Sequence, residues 1–344
     1  MDEVELLKGA VQIKSISGQE REVIEYFLAR MIELGFDAHI DEAGNVVGQI
    51  GKSEKPILLV GHIDTVPGDI PIRIEDGKLY GRGSVDAKGP FCAFMVAAAK
   101  ARMPCIVVGA VEEECATSKG ARHLIGKYNP SAIIIGEPSS SGCITLGYKG
   151  RLLCDYELKK DCGHSASTLS AGDNALIFHH VIASHLKSIN ERKSNFESVQ
   201  MTVRKVDTHS DGMHDNAKMA LSFRLPPGFD FDAFESFLDK AKGDAKIELY
   251  GKEIAIKSEK NNTLVRAFLS AIRNAGKTPS FKYKTGTSDM NVLGAAYDCP
   301  ILAYGPGDSS LDHTPEENIS IEEYKESIAI LTDTLRYLYN PKPI

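Results

Sequence analysis

The strongest constraint on the fold is a set of short runs with no face to give to water: Ile57–Val60, Ile106–Val111, Ala132–Ile135 and Ile301–Tyr304. A strand that is apolar at successive positions must lie in a sheet covered on both sides. Around these runs the apolar residues return at helical spacing. Val4, Leu7 and Val11, then Val23, Tyr26, Phe27, Met31 and Leu34, mark helical stretches that stop at Gly35. Phe91–Lys100, Leu264–Ala275 and Ile321–Tyr339 read as further helices, and Ala38–Ile40, Val46–Ile50 and Pro56–Val60 as strands. Helices alternating with apolar strands predict an α/β domain on a doubly wound, mainly parallel sheet.

The pattern changes near Gly150. Arg151–Leu158 alternates like an antiparallel strand with one wet face, and a helix (Asn174–Ile189) follows. Then come Val199–Val206, Ala217–Leu225, a second helix (Phe231–Ala241) and Ile247–Ile256. This strand-helix-strand-strand-helix-strand order is ferredoxin-like. With 344 residues, more than one ordinary core holds, the expectation is two domains. Residues 1–149 and 258–344 form one, and an α+β domain at 150–257 is inserted into it.

In an open parallel sheet, ligands bind beyond the carboxyl ends of the strands. The unusual polar residues cluster there in sequence. His62 and Asp64 follow the Pro56–Val60 strand, Glu112-Glu113-Glu114 follows Ile106–Val111, and Glu137 follows Ala132–Ile135. His313 lies past Ile301–Tyr304, and Asp86 sits in the glycine-rich "GRGSVDAKG" that opens the Phe91 helix. Each has a plain reading alone: a hydrogen-bonded His–Asp pair, a solvated first helical turn, a helix cap, a turn residue, a surface loop. Together they place many carboxylates at one sheet edge, a costly arrangement without cations. Two imidazoles and three carboxylates, one of them shared, would give two divalent ions three ligands each. Zn²⁺ suits that set and Ca²⁺, which prefers oxygen alone, does not.

Composition narrows the function further. A formal net charge of −7 argues against nucleic-acid binding. No run approaches the roughly 18 apolar residues of a membrane span, and the acidic start Met1-Asp2-Glu3-Val4-Glu5 does not read as a signal peptide. The seven scattered cysteines form no CxxC pair and read as thiols in a reducing cytoplasm.

The motifs "GHIDTVP", "GRGSVDAKG", "VEEE", "GEPS" and "DHTPEE" occur in an order that resembles the M20-type co-catalytic zinc amidohydrolases and exopeptidases. Relatives in that family include carboxypeptidase G2, succinyl-diaminopimelate desuccinylase and acetylornithine deacetylase. "GHSASTLSAGDNAL" and "SFRLP" match its lid, so the resemblance covers nearly the whole chain. It implies two Zn²⁺ ions per chain, with Co²⁺ as an alternative. Asp86 would bridge them, His62 and Glu137 would complete one site, and Glu114 and His313 the other. Asp64 would orient His62, and Glu113 would be the general base for a metal-bridging water attacking an amide. The family usually reads Asp-Glu-Glu-small where this chain has Glu112-Glu113-Glu114-Cys115, so the register of the triplet decides which Glu is which.

The lid implies substrate contacts from His164, Asn174, Asn216 and Arg224, with His164 reaching the partner subunit's active site in a homodimer. Asn216 and Arg224 are expected on the substrate carboxylate. The "TGTSD" loop, with Thr287 and Asp289, would line the side-chain pocket, Asp289 meeting a lysine or ornithine ammonium; a capped turn is the other reading of Asp289. Within the family, "VGAVEEE", "YKTGTSDMN" and "YGPGDSSLDHTPEE" resemble the branch that releases lysine or ornithine from the γ-carboxyl of the C-terminal glutamate of an acidic amino-group carrier protein, in lysine and arginine biosynthesis. Deacetylation of N-acetylornithine or N-acetyl-lysine, dipeptide hydrolysis and non-catalytic metal-dependent binding remain alternatives.

Overall fold

The computed structural model describes residues 2–164, 166 and 168–340. The chain forms two compact units. One comprises Met1–Gly147, Lys257–Tyr283 and Ser288–Ile344; the other comprises Tyr148–Ile256 with Lys284–Thr287. The inserted unit thus starts ahead of the expected boundary at residue 150 and gains a short segment that no sequence pattern announced.

The first unit is built on a sheet in the order Asp37–Ile40, Val46–Ile50, Cys105–Ala110, Ile57–His62, Ala132–Gly136, Ile301–Ala303, Cys143–Tyr148 and Ile256–Lys257, with Ser280–Lys284 also pairing Cys143–Tyr148. Its middle, where the apolar runs lie, is parallel; antiparallel strands flank it. The helices Glu3–Gln12, Arg21–Glu33, Lys88–Ala101, Thr263–Asn274 and Ile321–Tyr339 contribute side chains to one continuous apolar core. Lys88–Ala101 is buried on nearly all sides, as a helix of small and apolar residues must be.

The central strand runs Ile57–His62, two residues beyond the expected end, because Gly61 and His62 still pair with Gly109 and Ala110. Gly61, Gly109 and Gly136 form a row across three neighbouring strands. A Cβ on Gly109 would lie 2.8 Å from the Phe91 ring, and one on Gly136 would lie 3.0 Å from that of Phe94. The glycines let the Lys88–Ala101 helix lie close against the strand ends, which brings the loop before it, with Asp86, to the same edge.

The inserted unit is a four-stranded antiparallel sheet in the order Gln200–Ser210, His214–Leu225, Gly150–Asp161, Lys246–Glu253. The helices Ala171–Ile189 and Phe231–Ala241 pack on it around a second apolar core. The single strand expected at Ile247–Ile256 is broken. The register shifts between Tyr250 and Glu253, Gly251 takes φ +62°, and Ile256–Lys257 pairs in the main sheet instead. Among the described residues no helix is long and apolar enough to cross a membrane.

Candidate metal centre

The site assembles where the parallel strands end. His62 is the last residue of its strand, and the pairing of Gly61 with Gly136 puts Glu137 level with it on the neighbouring strand. Asp86 enters from the glycine-rich loop and His313 from the segment after the short helical turn Ser309–Leu311. The two oxygens of Asp86 face one imidazole each: Oδ1 is 3.1 Å from His62 Nε2, and Oδ2 is 3.0 Å from His313 Nε2. His313 Nε2 also lies 2.9 Å from Glu114 Oε1. His62, Asp86 and Glu114 offer ligand atoms all within 4.8 Å of one another.

These distances suit hydrogen bonds, and a small outward shift would suit ligands of one ion. Bonds of about 2.0 to 2.1 Å in a tetrahedral zinc site separate its ligand atoms by about 3.3 Å. Imidazole nitrogen with carboxylate oxygen, and no thiolate, is the donor chemistry of Zn²⁺ and similar borderline ions. Thus the residues present fit such a group.

Electrostatics say the same. His313 is raised to about 10 by its hydrogen bonds to Asp86 and Glu114. Burial acts to lower His62, but hydrogen bonding to Asp64 and Asp86 overrides it and leaves the ring well above its ordinary value. Burial pushes Glu113 well above the usual carboxylate range; His62 pulls it back, while Glu137, Asp289 and Glu114 push it further up. The cluster therefore favours positive charge at its centre.

The register of the triple glutamate is fixed by the backbone. Four successive amide groups each donate to a side-chain oxygen: Val111 N to Asn45 Oδ1 (3.1 Å), Glu112 N to Glu20 Oε1 (3.2 Å), Glu113 N to Asp64 Oδ1 (3.0 Å) and Glu114 N to Asp64 Oδ2 (3.0 Å). Glu112, at φ +57°, turns its carboxylate to Thr117 and Lys119. Glu113 meets the fields of His62, Glu137 and Asp289, and Glu114 meets His313.

Asp64 lies against His62 and has a second task besides. His62 Nδ1 lies 2.9 Å from the backbone carbonyl of Asp64 and 3.6 Å from its carboxylate. The carboxylate, fully buried, also accepts the two glutamate amides and the Ser17 hydroxyl at 2.7 Å. When the His62 ring is neutral, donation from Nδ1 to the carbonyl leaves Nε2 as the lone-pair nitrogen facing Asp86. Sequence reasoning also passed over Glu20, Asn45 and Glu317. Nothing local marks the long-range contacts of Glu20 with Glu112, of Asn45 with Val111 or of Glu317 with the Asp86 loop.

The lid residues separate. Arg224 Nη1 donates to Thr287 Oγ1 at 2.8 Å. Asn216 sits on the same strand eight residues away, opposite Lys159 and His209. At about 3.3 Å per residue that is roughly 26 Å, so one chain cannot bring Asn216 and Arg224 onto one carboxylate, as the sequence reading expected. His164 is exposed and lies just past the strand that ends at Asp161, the end where Asn216 is found. Asn174 donates to the Ser170 carbonyl in the first turn of its helix. Asp289 is buried and opens the helix Asp289–Ala296, whose cap is Ser288.

A sequence profile of the peptidase family M20/M25/M40 matches residues 58–337. The chain is 42% identical over 350 residues to a [LysW]-lysine hydrolase of Deinococcus radiodurans, covering 97% of this chain and 96% of that one. It is 31% identical over 326 residues to a [LysW]-lysine/[LysW]-ornithine hydrolase of Sulfurisphaera tokodaii, covering 93% and 90%. Its fold matches the crystal structure of an M20 family metallo-carboxypeptidase from Sulfolobus solfataricus, with TM-score 0.80, 20% identity and coverage of 98% and 99%. Divalent metal ions accompany this family, in keeping with the donor cluster. The chain belongs to the peptidase family M20/M25/M40 and is a hydrolase of amide bonds.

Proposed function

We propose that the protein releases lysine, ornithine or both from the γ-carboxyl of the C-terminal glutamate of an acidic amino-group carrier protein, in lysine and arginine biosynthesis. The observation that carries this reading is the near full-length identity of 42% to a protein named [LysW]-lysine hydrolase.

In this reading His62, Asp86, Glu114, Glu137 and His313 would hold divalent ions, zinc in the first place and cobalt as a fitting substitute, with Asp86 as the residue common to both positions. His62 and Glu137 would serve one ion, Glu114 and His313 the other. When bound, the ions supply a Lewis acid for the amide carbonyl and lower the pKa of water toward neutrality. Glu113 would take a proton from the attacking water and return it to the departing amine. Asp64 holds Glu113 and Glu114 by their amides. Arg224 and Thr287 receive the substrate at one end of the lid sheet, and Asp289 meets the ammonium of the released amino acid. His164, Asn174 and Asn216 serve the partner subunit's site in a homodimer. Exposed Leu176, Ile177 and Val181 on the Ala171–Ile189 helix, with Val203 and Val206 on the edge strand Gln200–Ser210, offer the surface for that pairing. The cysteines are all free, which suits the reducing cytoplasm.

The test is a substrate comparison. Purified metal-loaded protein is assayed on carrier-linked lysine and ornithine, on N-acetylornithine and N-acetyl-lysine, and on dipeptides. The expected result is a kcat/KM at least about 100-fold higher on the carrier conjugates, because binding remote from the reacting bond drives the chemistry. Equal or better turnover of the small acylated amino acids refutes the carrier reading and makes the protein a deacetylase.

A further inference from the structure

Four residues after His313 lies Glu317, which is fully buried. Its Oε1 accepts two successive backbone amides, from Val85 at 2.9 Å and from Asp86 at 3.1 Å. Its Oε2 accepts from Arg82 Nη1 at 2.7 Å, and its backbone carbonyl accepts from Gly81 N at 3.3 Å. One residue thus holds the glycine-rich loop through four hydrogen bonds, one of them from the amide of Asp86 itself.

The same short segment touches Asp86 twice. Glu317 grips its backbone amide, and His313 meets its Oδ2 at 3.0 Å. Side chain and main chain of Asp86 are closed into a ring with residues 313–317. For Asp86 to present one oxygen to each imidazole, its peptide plane has to be fixed, because a carboxylate on a free loop would turn as a unit. The device parallels the grip of Asp64 on the amides of Glu113 and Glu114.

We propose that Glu317 is a positioning residue that sets the orientation of Asp86 between its two cation sites, through the amides of Val85 and Asp86. The proposal rests on the metal reading given above. A glutamine here keeps the volume and one acceptor oxygen. Its amide NH₂, however, must face either the Arg82 guanidinium or the two backbone donors, and either choice loosens the grip.

The experiment follows Co²⁺ alone bound to the full chain. Wild type and Glu317→Gln are titrated with Co²⁺ and read by visible absorption and by competition with a chelator. Circular dichroism and the melting of the metal-free protein report folding. The neighbouring exposed Glu316, changed to Gln, is the control. Wild type and Glu316→Gln should bind two ions with the same spectrum. Glu317→Gln should fold, bind Co²⁺ about 10- to 100-fold more weakly, as loss of a residue supporting a ligand does, and show a changed ligand-field band. If glutamine does not fold, Glu317→Asp replaces it: it keeps the charge, is one methylene shorter, stretches the same amide contacts and should show the same loss. A folded variant with affinity within about threefold of wild type and a superimposable spectrum overturns the positioning role. Failure of the wild type itself to bind Co²⁺ overturns the metal reading instead.

Discussion

A carboxylate that receives a peptide N–H on each oxygen cannot be exchanged for its amide without pointing one N–H at another. Asp64 is in that position, with Glu113 N and Glu114 N each at 3.0 Å and no solvent exposure. The Glu113 side chain, by contrast, is felt by His62, Glu137, Asp289 and Glu114. The two isosteric changes should therefore differ. Asp64→Asn should destabilise the metal-free protein by about 1 to 3 kcal/mol, the cost of a buried donor without an acceptor, read as a lower denaturant midpoint, and should reduce activity with it. Glu113→Gln should leave the midpoint unchanged or higher, keep metal content, and reduce kcat by about 10² to 10⁴, the usual worth of a general base. Equal midpoints in the two variants would contradict the anchoring role of Asp64; a Glu113→Gln enzyme within about tenfold of wild type would remove Glu113 as the base. At this scale the sequence told which residues are unusual but not whom they touch. His62 and Asp64 stand out as charge at the end of a buried strand, yet the partners of the Asp64 carboxylate lie 49 and 50 residues away. Glu316 and Glu317 are indistinguishable on paper; one is exposed and the other holds the Asp86 loop.

Elements were legible where burial leaves a mark on composition. The parallel strands carry runs of apolar residues because both their faces are covered, and the helices Phe231–Ala241 and Ile321–Tyr339 match the expected spans because one stripe of each is buried. Short elements held by neighbours left no such mark. The strands Arg73–Glu75, Lys78–Tyr80 and Asn318–Ser320 pair in a three-stranded sheet of their own, and Ser280–Lys284 is only half-buried. The helix Asp289–Ala296 did carry a signal, the reciprocal capping of Ser288 and Asn291. The glycine before each of His62, Ala110 and Glu137 was another unread signal, since all three stand in one row beneath the Lys88–Ala101 helix. That row makes a prediction about elements. A methyl group on Gly109 would come within 2.9 Å of Val46, Phe91 and Ile63 at once. Gly109→Ala should cost about 1 to 3 kcal/mol by overpacking and should weaken metal binding by lifting the helix that Asp86 precedes. Adding Phe91→Leu removes the ring and should return part of the loss, a coupling on the order of 1 kcal/mol in a double-mutant cycle. Additive effects would show that the helix and strand do not meet through this contact.

At the scale of the whole molecule the question is whether one chain suffices. Within the inserted unit the lid residues occupy opposite ends of one sheet: Arg224 with Thr287 at one, Asn216 and His164 at the other. The reacting amide and the amino acid it releases span far less than the roughly 26 Å between Asn216 and Arg224, so residues at both ends would act at the reacting bond only by serving two different sites. Closed two-fold symmetry would give that arrangement, each copy lending the far end of its lid to the other, as the homodimer reading requires. The edge strand Gln200–Ser210, with exposed Val203 and Val206, and the exposed Leu176, Ile177 and Val181 of the helix Ala171–Ile189 would be covered in the process. Complementation tests this without a structure. A His164→Ala chain has its own Glu113 but lends no imidazole; a Glu113→Gln chain lends the imidazole but lacks the base. Each should be inactive alone. Mixed in equal amounts and allowed to exchange, random pairing makes half the dimers mixed, and each mixed dimer has one complete site. Activity should return to roughly a quarter of the wild-type value. With Leu176→Glu and Ile177→Glu added to both chains, sedimentation should report monomers and no activity should return. A mixture that stays inactive while still forming dimers would mean that His164 serves its own chain or none, and the lid would then need another reason for placing polar residues at both ends.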